Sequence, residues 1–186
     1  MGDVSVIGLG NMGAALASSL LGAGLDVTVW NRSPGRTAPL AARGATAAPN
    51  ARTALLASPQ TLVCISDYSA TARLLEEATA DLDGRTLVQL STGTPRQAAD
   101  CDEQVRAQGG RYLDGAIMVN PTDIGSAGAQ ILIAGPEDAF AASEPALRRL
   151  AATCATSART CAPPRRSTWR SSPGSNAWSS ASSTAR

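Results

Sequence analysis

Three glycines carry the first chemical signal in the chain. Gly8, Gly10 and Gly13 stand in the spacing G-x-G-x-x-G, directly after the apolar run Val4–Gly8. Directly after them comes Asn11–Ala23, where apolar residues recur at helical spacing until Gly24 stops the pattern. In such a turn the first glycine permits the tight bend, the second leaves room for backbone to approach a pyrophosphate, and the third lets helix and strand pack closely. The free N–H groups at the start of the helix then face the phosphates, helped by the helix dipole. Glycines also occur in turns for conformational reasons alone. The strand before them and the helix after them favour dinucleotide binding.

The end of the next strand, Asp26–Trp30, discriminates between dinucleotides. An acid at this place would accept hydrogen bonds from the ribose hydroxyls of NAD. The chain reads "VWNRSP" instead, with Asn31, Arg32 and Ser33 there. A guanidinium and a hydroxyl suit the 2′-phosphate of NADP, whose charge an acid would repel. The competing reading is a solvated surface arginine. Other chemistries are excluded by composition. The chain has no His and no Lys, so no His-based triad or His-ligated metal site can be built. Its 4 cysteines form neither a disulfide framework nor a CxxC pair, and Cys64 reads as a small buried hydrophobe in an apolar strand.

Elements that could hold these residues alternate along the chain. Strands are expected at Thr61–Ser66, Thr86–Leu90 and Gln130–Ala134. Helices are expected at Pro34–Arg43, Ala70–Glu77, Pro95–Ala107 and Pro136–Leu150, the last with a break at Pro145. Strand and helix in alternation with short connections point to an α/β fold, a doubly wound, Rossmann-type and mostly parallel sheet. The 186 residues are 44% hydrophobic and only 3% aromatic, enough for a core packed by aliphatic side chains. A formal net charge of +1 argues against a nucleic-acid binder. No apolar run approaches the ~20 residues that span a bilayer, and no basic-then-apolar leader opens the chain. The expectation is a cytoplasmic protein with no membrane partner.

The segments "GLGNMG", "VWNRSP", "STGTP" and "YLDGAIMVNPTDIGSAGAQILIAGP" together resemble the NADP-binding domain of the 6-phosphogluconate and β-hydroxyacid dehydrogenase superfamily, and within it the imine reductases. The resemblance covers residues 1 to about 151. It implies an oxidoreductase passing hydride from NADPH to the C=N bond of a small-molecule substrate, usually a cyclic imine. It also implies that Leu9, Gly10, Asn11 and Met12 contact the pyrophosphate and that Asn31, Arg32 and Ser33 hold the 2′-phosphate. Ser66 and Asp67 would lie near the adenosine half, and Ser91, Thr92 and Gly93 would face the nicotinamide. Met118 and Val119 would line the cleft between cofactor and substrate. Hydroxyacid dehydrogenases typically carry a "DAPVSGG" segment where this chain has "DGAIMVNPTDIG" from Asp114. Met118, Val119 and Pro121 suit a hydrophobic imine better than an anionic hydroxyacid, although ordinary loop packing would use the same residues. Neither Asp114 nor Asp123 is assigned as a proton donor.

Composition changes after Leu150. Residues 1–150 are read as the NADP-binding domain, and 151–186 as a low-complexity, disordered tail. All 15 acidic residues fall in the first stretch, while the second contains no Leu, Ile, Val, Met, Phe or Tyr. A solvated tail is one interpretation. Out-of-frame translation of a GC-rich gene is another. Codons for Asp-Leu-Arg-Tyr-Leu-Gly-Glu-Asp-Val, read one base late, give the run from Thr153 to Thr160 and the start of Cys161. The resemblance implies that an all-helical C-terminal domain and an intertwined homodimer complete the active site in full-length relatives. A chain lacking that domain would be catalytically impaired. Three functions therefore stay open: an imine reductase-like oxidoreductase, a non-catalytic NADP-binding fragment, and a β-hydroxyacid dehydrogenase.

Overall fold

The computed structural model of the protein describes residues 1–157. Strands β1 (Val4–Ile7), β2 (Val27–Trp30), β3 (Thr46–Ala47), β4 (Gln60–Val63), β5 (Thr86–Gln89), β6 (Arg111–Ile117), β7 (Gln130–Ala134) and β8 (Thr153–Ser157) form one sheet in the order β3-β2-β1-β4-β5-β6-β7-β8. Every neighbouring pair is parallel except β6 and β7. Helices α1 (Asn11–Gly22), α2 (Ala38–Ala41), α3 (Ala51–Leu56), α4 (Tyr68–Ala78), α5 (Pro95–Ala107) and α6 (Glu137–Leu147) connect the strands. The doubly wound α/β architecture expected from the sequence is the one that forms. No all-helical domain follows it among the described residues.

Alternation along each strand divides the core in two. Val4, Val6, Leu62, Val88, Leu113, Ile131 and Ile133 face one side, with Leu16 and Leu20 of α1 and Phe140 and Leu147 of α6. Ile7, Val63, Leu87 and Tyr112 face the other, with Leu55 of α3, Leu75 of α4 and Val105 of α5. Strands buried on both faces therefore read as continuous apolar runs, as a covered parallel sheet requires. The second layer of helices ends at β6. Beyond it Leu132 stays 46% exposed on the uncovered face of β7.

Local chemistry fixes where helices begin. Asn50 caps α3 by accepting from the Thr53 N–H at 2.8 Å, and Asp67 caps α4 by accepting from Ala70 at 2.8 Å. Thr94 and Gln97 form a reciprocal capping box at the start of α5, with Pro95 in its first turn. Several expected boundaries move. Pro34–Arg43 does not form one helix: it divides into a 3-10 turn, Pro34–Arg36, and α2. Pro39 has no N–H to offer the preceding turn, so the hydrogen-bond ladder restarts at Thr37. The break expected at Pro145 does not occur, because this proline lies in the last turn of α6 and the Arg148 N–H still reaches the Glu144 carbonyl at 2.9 Å. β3, α3 and β6 were not anticipated as elements. The sheet also runs past the boundary expected at residue 150, since β8 pairs with β7. The remainder of the expected tail, and with it most of the out-of-frame reading, lies outside the described residues.

Candidate functional site

The carboxyl ends of β1, β2, β4, β5 and β6 carry five loops, and these bring the candidate residues to one edge of the sheet. The strand order reverses between β1 and β4, which is where open α/β sheets bind their ligands. The glycine turn lies at that reversal. Gly8 has φ +92°, and a Cβ there would fall 2.3 Å from the Cys64 carbonyl oxygen. A Cβ on Gly13 would fall 1.8 Å from the Gly8 carbonyl oxygen. Both glycines are therefore demanded by the close approach of β1, β4 and α1. Gly10 differs. The nearest atom to a Cβ there is Arg36 Nη1, 4.0 Å away. Its bare backbone faces open space, and no side chain caps α1, whose first-turn N–H groups start at Asn11 and Met12. An anionic diphosphate fits this cradle by charge and by shape.

Leu9 enters the site only through its backbone. Its side chain is buried, its N–H donates to Asn31 Oδ1 at 2.9 Å, and its carbonyl accepts from Arg36 Nη1 at 3.2 Å. Asn31 also donates to the Ser33 carbonyl at 3.1 Å. It therefore clamps the β2 loop to the glycine turn, and its amide is already engaged on both sides. Arg32 and Ser33 are exposed beside it, and neither Arg32 nor Arg36 forms an ion pair among the described residues. Arg36 was missed from sequence. The 3-10 turn at Pro34 folds it back over Gly10, so the edge presents two guanidinium groups where the reading gave one. Its signal was its place four residues after Arg32, in a stretch read as plain helix.

Ser66 and Asp67 are exposed at the end of β4. The Asp67 carboxyl is held below its ordinary value, first by the Ala70 N–H of its own helix cap and then by the Ser66 hydroxyl. Ser91 is buried, and its hydroxyl accepts from the Ile65 N–H at 3.1 Å, tying the β5 loop to the β4 loop. Thr92 and Gly93 are exposed above it. Met118 is 58% exposed at the end of β6, whereas Val119 is half-buried and packs on the core. Only the first presents an apolar wall to the outside.

A second feature missed from sequence lies under this edge. Tyr68 and Tyr112 both donate their hydroxyls to Asp114 Oδ1, the latter at 3.2 Å. Burial, and then the Asp114 hydrogen bond, push the Tyr68 phenol well above the usual range for a phenol. Cys101 lies in the same cluster, its thiol pushed up to about 12 by burial. The Cys64 thiol stands near about 11 for the same reason, and both are inert protonated thiols at neutral pH. No group of His, Cys, Asp and Glu side chains among the described residues could hold a metal ion. No helix among them is long and apolar enough to cross a membrane.

Sequence and fold comparisons identify the family. Residues 3–158 match the NAD binding domain of 6-phosphogluconate dehydrogenase, and the chain belongs to that family. It is thus a dinucleotide-binding domain, and its relatives include reductive aminases and imine reductases. It is 36% identical to an NADPH-dependent reductive aminase of Aspergillus oryzae over 132 residues, 71% of this chain and 45% of that protein. An imine reductase from Pseudomonas sp. superposes with a TM-score of 0.81 at 39% identity, covering 83% of this chain and 54% of the other. A reductive aminase from Aspergillus terreus, solved with NADPH4, cyclohexanone and allyl amine, gives 0.80 at 35%, covering 84% and 54%. An imine reductase from Myxococcus stipitatus in complex with NADP+ gives 0.80 at 37%. The chain spans about half the length of these relatives.

Proposed function

We propose that this chain binds NADPH in preference to NADH and is the cofactor half of a reductase that delivers hydride to a C=N bond. The carrying observation is the pair Arg32 and Arg36 at the end of β2, beside the open backbone of Gly10. Two guanidinium groups that form no ion pair among the described residues select a phosphate over a free ribose hydroxyl. NADPH supplies the hydride when bound. The chain's own part is to hold it: the α1 N-terminus and Gly10 take the pyrophosphate, Arg32, Ser33 and Arg36 the 2′-phosphate, and Thr92 and Gly93 lie against the nicotinamide. Asn31 acts as a bracket that sets Leu9 and the β2 loop. Ser66 and Asp67 border the adenosine half.

The substrate side supports an imine over a hydroxyacid. Met118 projects an apolar surface at the end of β6. The Asp114 carboxylate is taken up by two phenols and is poorly placed to protonate a forming amine. The proton donor and the far wall of the substrate cleft are assigned to the helical half that relatives carry, in a homodimer. Hydride transfer needs a substrate held near the nicotinamide and shielded from water, and this half offers an open face.

The test titrates the purified chain with NADPH and NADH by calorimetry, beside a cyclic-imine reduction assay. NADPH affinity exceeding that for NADH by tenfold or more supports the cofactor assignment. Equal affinities overturn it. Binding without turnover supports a domain that needs its second half. Turnover by this chain alone overturns the claim that catalysis is impaired, and turnover of a β-hydroxyacid in place of the imine overturns the substrate class.

A further inference from the structure

Tyr68 is the first residue of α4, yet it is 5% exposed and turned inward beneath the site. Its ring lies against Gly93. A Cβ at Gly93 would fall 2.2 Å from Tyr68 Cδ2 and 2.3 Å from Cε2, so the loop after β5 rests directly on the Cδ2–Cε2 edge of this ring. Packing alone would be met by Phe. The hydroxyl adds a second constraint, because it donates to Asp114 on β6, and that same carboxylate oxygen takes the Tyr112 hydroxyl at 3.2 Å. A buried phenol held at its far end has one ring position available to it. Two further contacts close the frame: Ser91 accepts from the Ile65 N–H at 3.1 Å, and Asp67 caps the helix that Tyr68 begins.

We propose that Tyr68 is a positioning residue for the nicotinamide half of the cofactor site, its Asp114-anchored ring setting the height and tilt of the Thr92–Gly93 backbone. The inference rests on the reading that Thr92 and Gly93 lie against the nicotinamide. It assigns the Tyr68–Asp114–Tyr112 cluster a task that neither core packing nor proton transfer explains. The phenols stay protonated at neutral pH and do not reach the open edge. Their hydrogen bonds converge on the strand that leads to Met118, so the cofactor and substrate sides of the edge share one anchor.

The test uses the full chain as wild type, Tyr68→Phe and Tyr68→Ala. Each is titrated with NADPH and with adenosine 2′,5′-bisphosphate, which carries the 2′-phosphate but no nicotinamide, and the emission of bound NADPH is recorded. The expected result is a loss of NADPH affinity of about threefold in Tyr68→Phe and about tenfold in Tyr68→Ala, with bisphosphate affinity unchanged within about twofold. Bound-NADPH emission should move toward that of the free cofactor in the same order. Equal weakening toward both ligands would show a general packing role and overturn the proposal. So would unchanged NADPH binding and emission in both variants, or a wild type that binds NADPH no more tightly than the bisphosphate. A wild type that binds the bisphosphate and NADH as tightly as NADPH overturns instead the cofactor assignment above. If the alanine variant fails to unfold cooperatively, Tyr68→Phe keeps the ring volume and decides the outcome.

Discussion

The ring of Tyr68 lies on the bare backbone of Gly93, and a methyl at 93 would stand 2.2 Å from it. Neither residue can be explained without the other. Gly93 belongs to the loop after β5 and Tyr68 to the start of α4, so the contact couples neighbouring crossover units of the sheet. Gly93→Ala should destabilise the chain by about 1–3 kcal/mol through overpacking. The same substitution in a Tyr68→Ala background should cost far less, because the methyl then has room. Urea unfolding of the two single variants and the double variant measures this coupling. Additive effects would mean that the two residues do not touch in solution.

Gly10 and Gly13 are one motif in sequence and two different constraints in space. Gly13→Ala drives a methyl to 1.8 Å from the Gly8 carbonyl oxygen, a backbone atom that cannot step aside. Gly10→Ala meets nothing closer than 4.0 Å. Gly13→Ala is expected to lower the unfolding midpoint sharply. Gly10→Ala is expected to leave the midpoint within a few degrees and still weaken NADPH about tenfold or more, because the added carbon occupies the approach of the pyrophosphate. Thermal unfolding and cofactor titration of the two variants separate the constraints.

Arg36 touches the Leu9 carbonyl at 3.2 Å and overhangs Gly10, so it could act on the turn or on a phosphate. The two roles differ in what NADH reports. Arg36→Ala should weaken NADPH about tenfold while changing NADH binding less than about twofold, and the NADPH deficit should shrink at high salt. Equal losses for both cofactors would make Arg36 a brace of the turn. Arg32→Ala should follow the same pattern, since Arg32 is exposed and holds no ion pair among the described residues.

The glycine turn, the missing acid after β2 and the alternating elements were legible because each is a short-range pattern. Gly8, Gly10 and Gly13 are six residues of chain with a strand on one side and a helix on the other. β6 was passed over because Gly115 interrupts an otherwise apolar stretch, and the antiparallel pairing with β7 that stabilises it is a long-range fact. α3 is only a single turn and a half, its sequence signal resting on the Asn50 cap. Arg36 was hidden by a backbone detail, the proline-directed 3-10 turn that points it back at Gly10. Tyr68, Tyr112 and Asp114 were invisible as a cluster, since hydrogen bonds spanning 46 residues leave no mark in local spacing. Asn31 was read as a phosphate ligand by its neighbours, and only the geometry shows its amide engaged with Leu9 and Ser33.

The buried acids of the second core layer give the chain a stability that depends on pH. In the unfolded chain the Cys101 thiol loses its proton near 9.0, but burial raises this to about 12 in the fold. Burial also pushes the Tyr68 and Tyr112 phenols up from their ordinary values. Between the unfolded and folded values the unfolded chain binds fewer protons than the native one, so the free energy of unfolding falls as pH rises. The stabilisation is complete well below pH 9.0 and lost progressively from there through about 12. Urea midpoints should therefore fall between about pH 8 and pH 10.5, with no matching loss between pH 7 and 8. Cys101→Ala removes one of the coupled acids and should flatten the alkaline slope even if it lowers the midpoint at neutral pH. Tyr68→Phe should flatten it further above about pH 10, where the free phenol would ionise only in the unfolded chain. A slope that ignores both substitutions would place the alkaline transition outside this cluster.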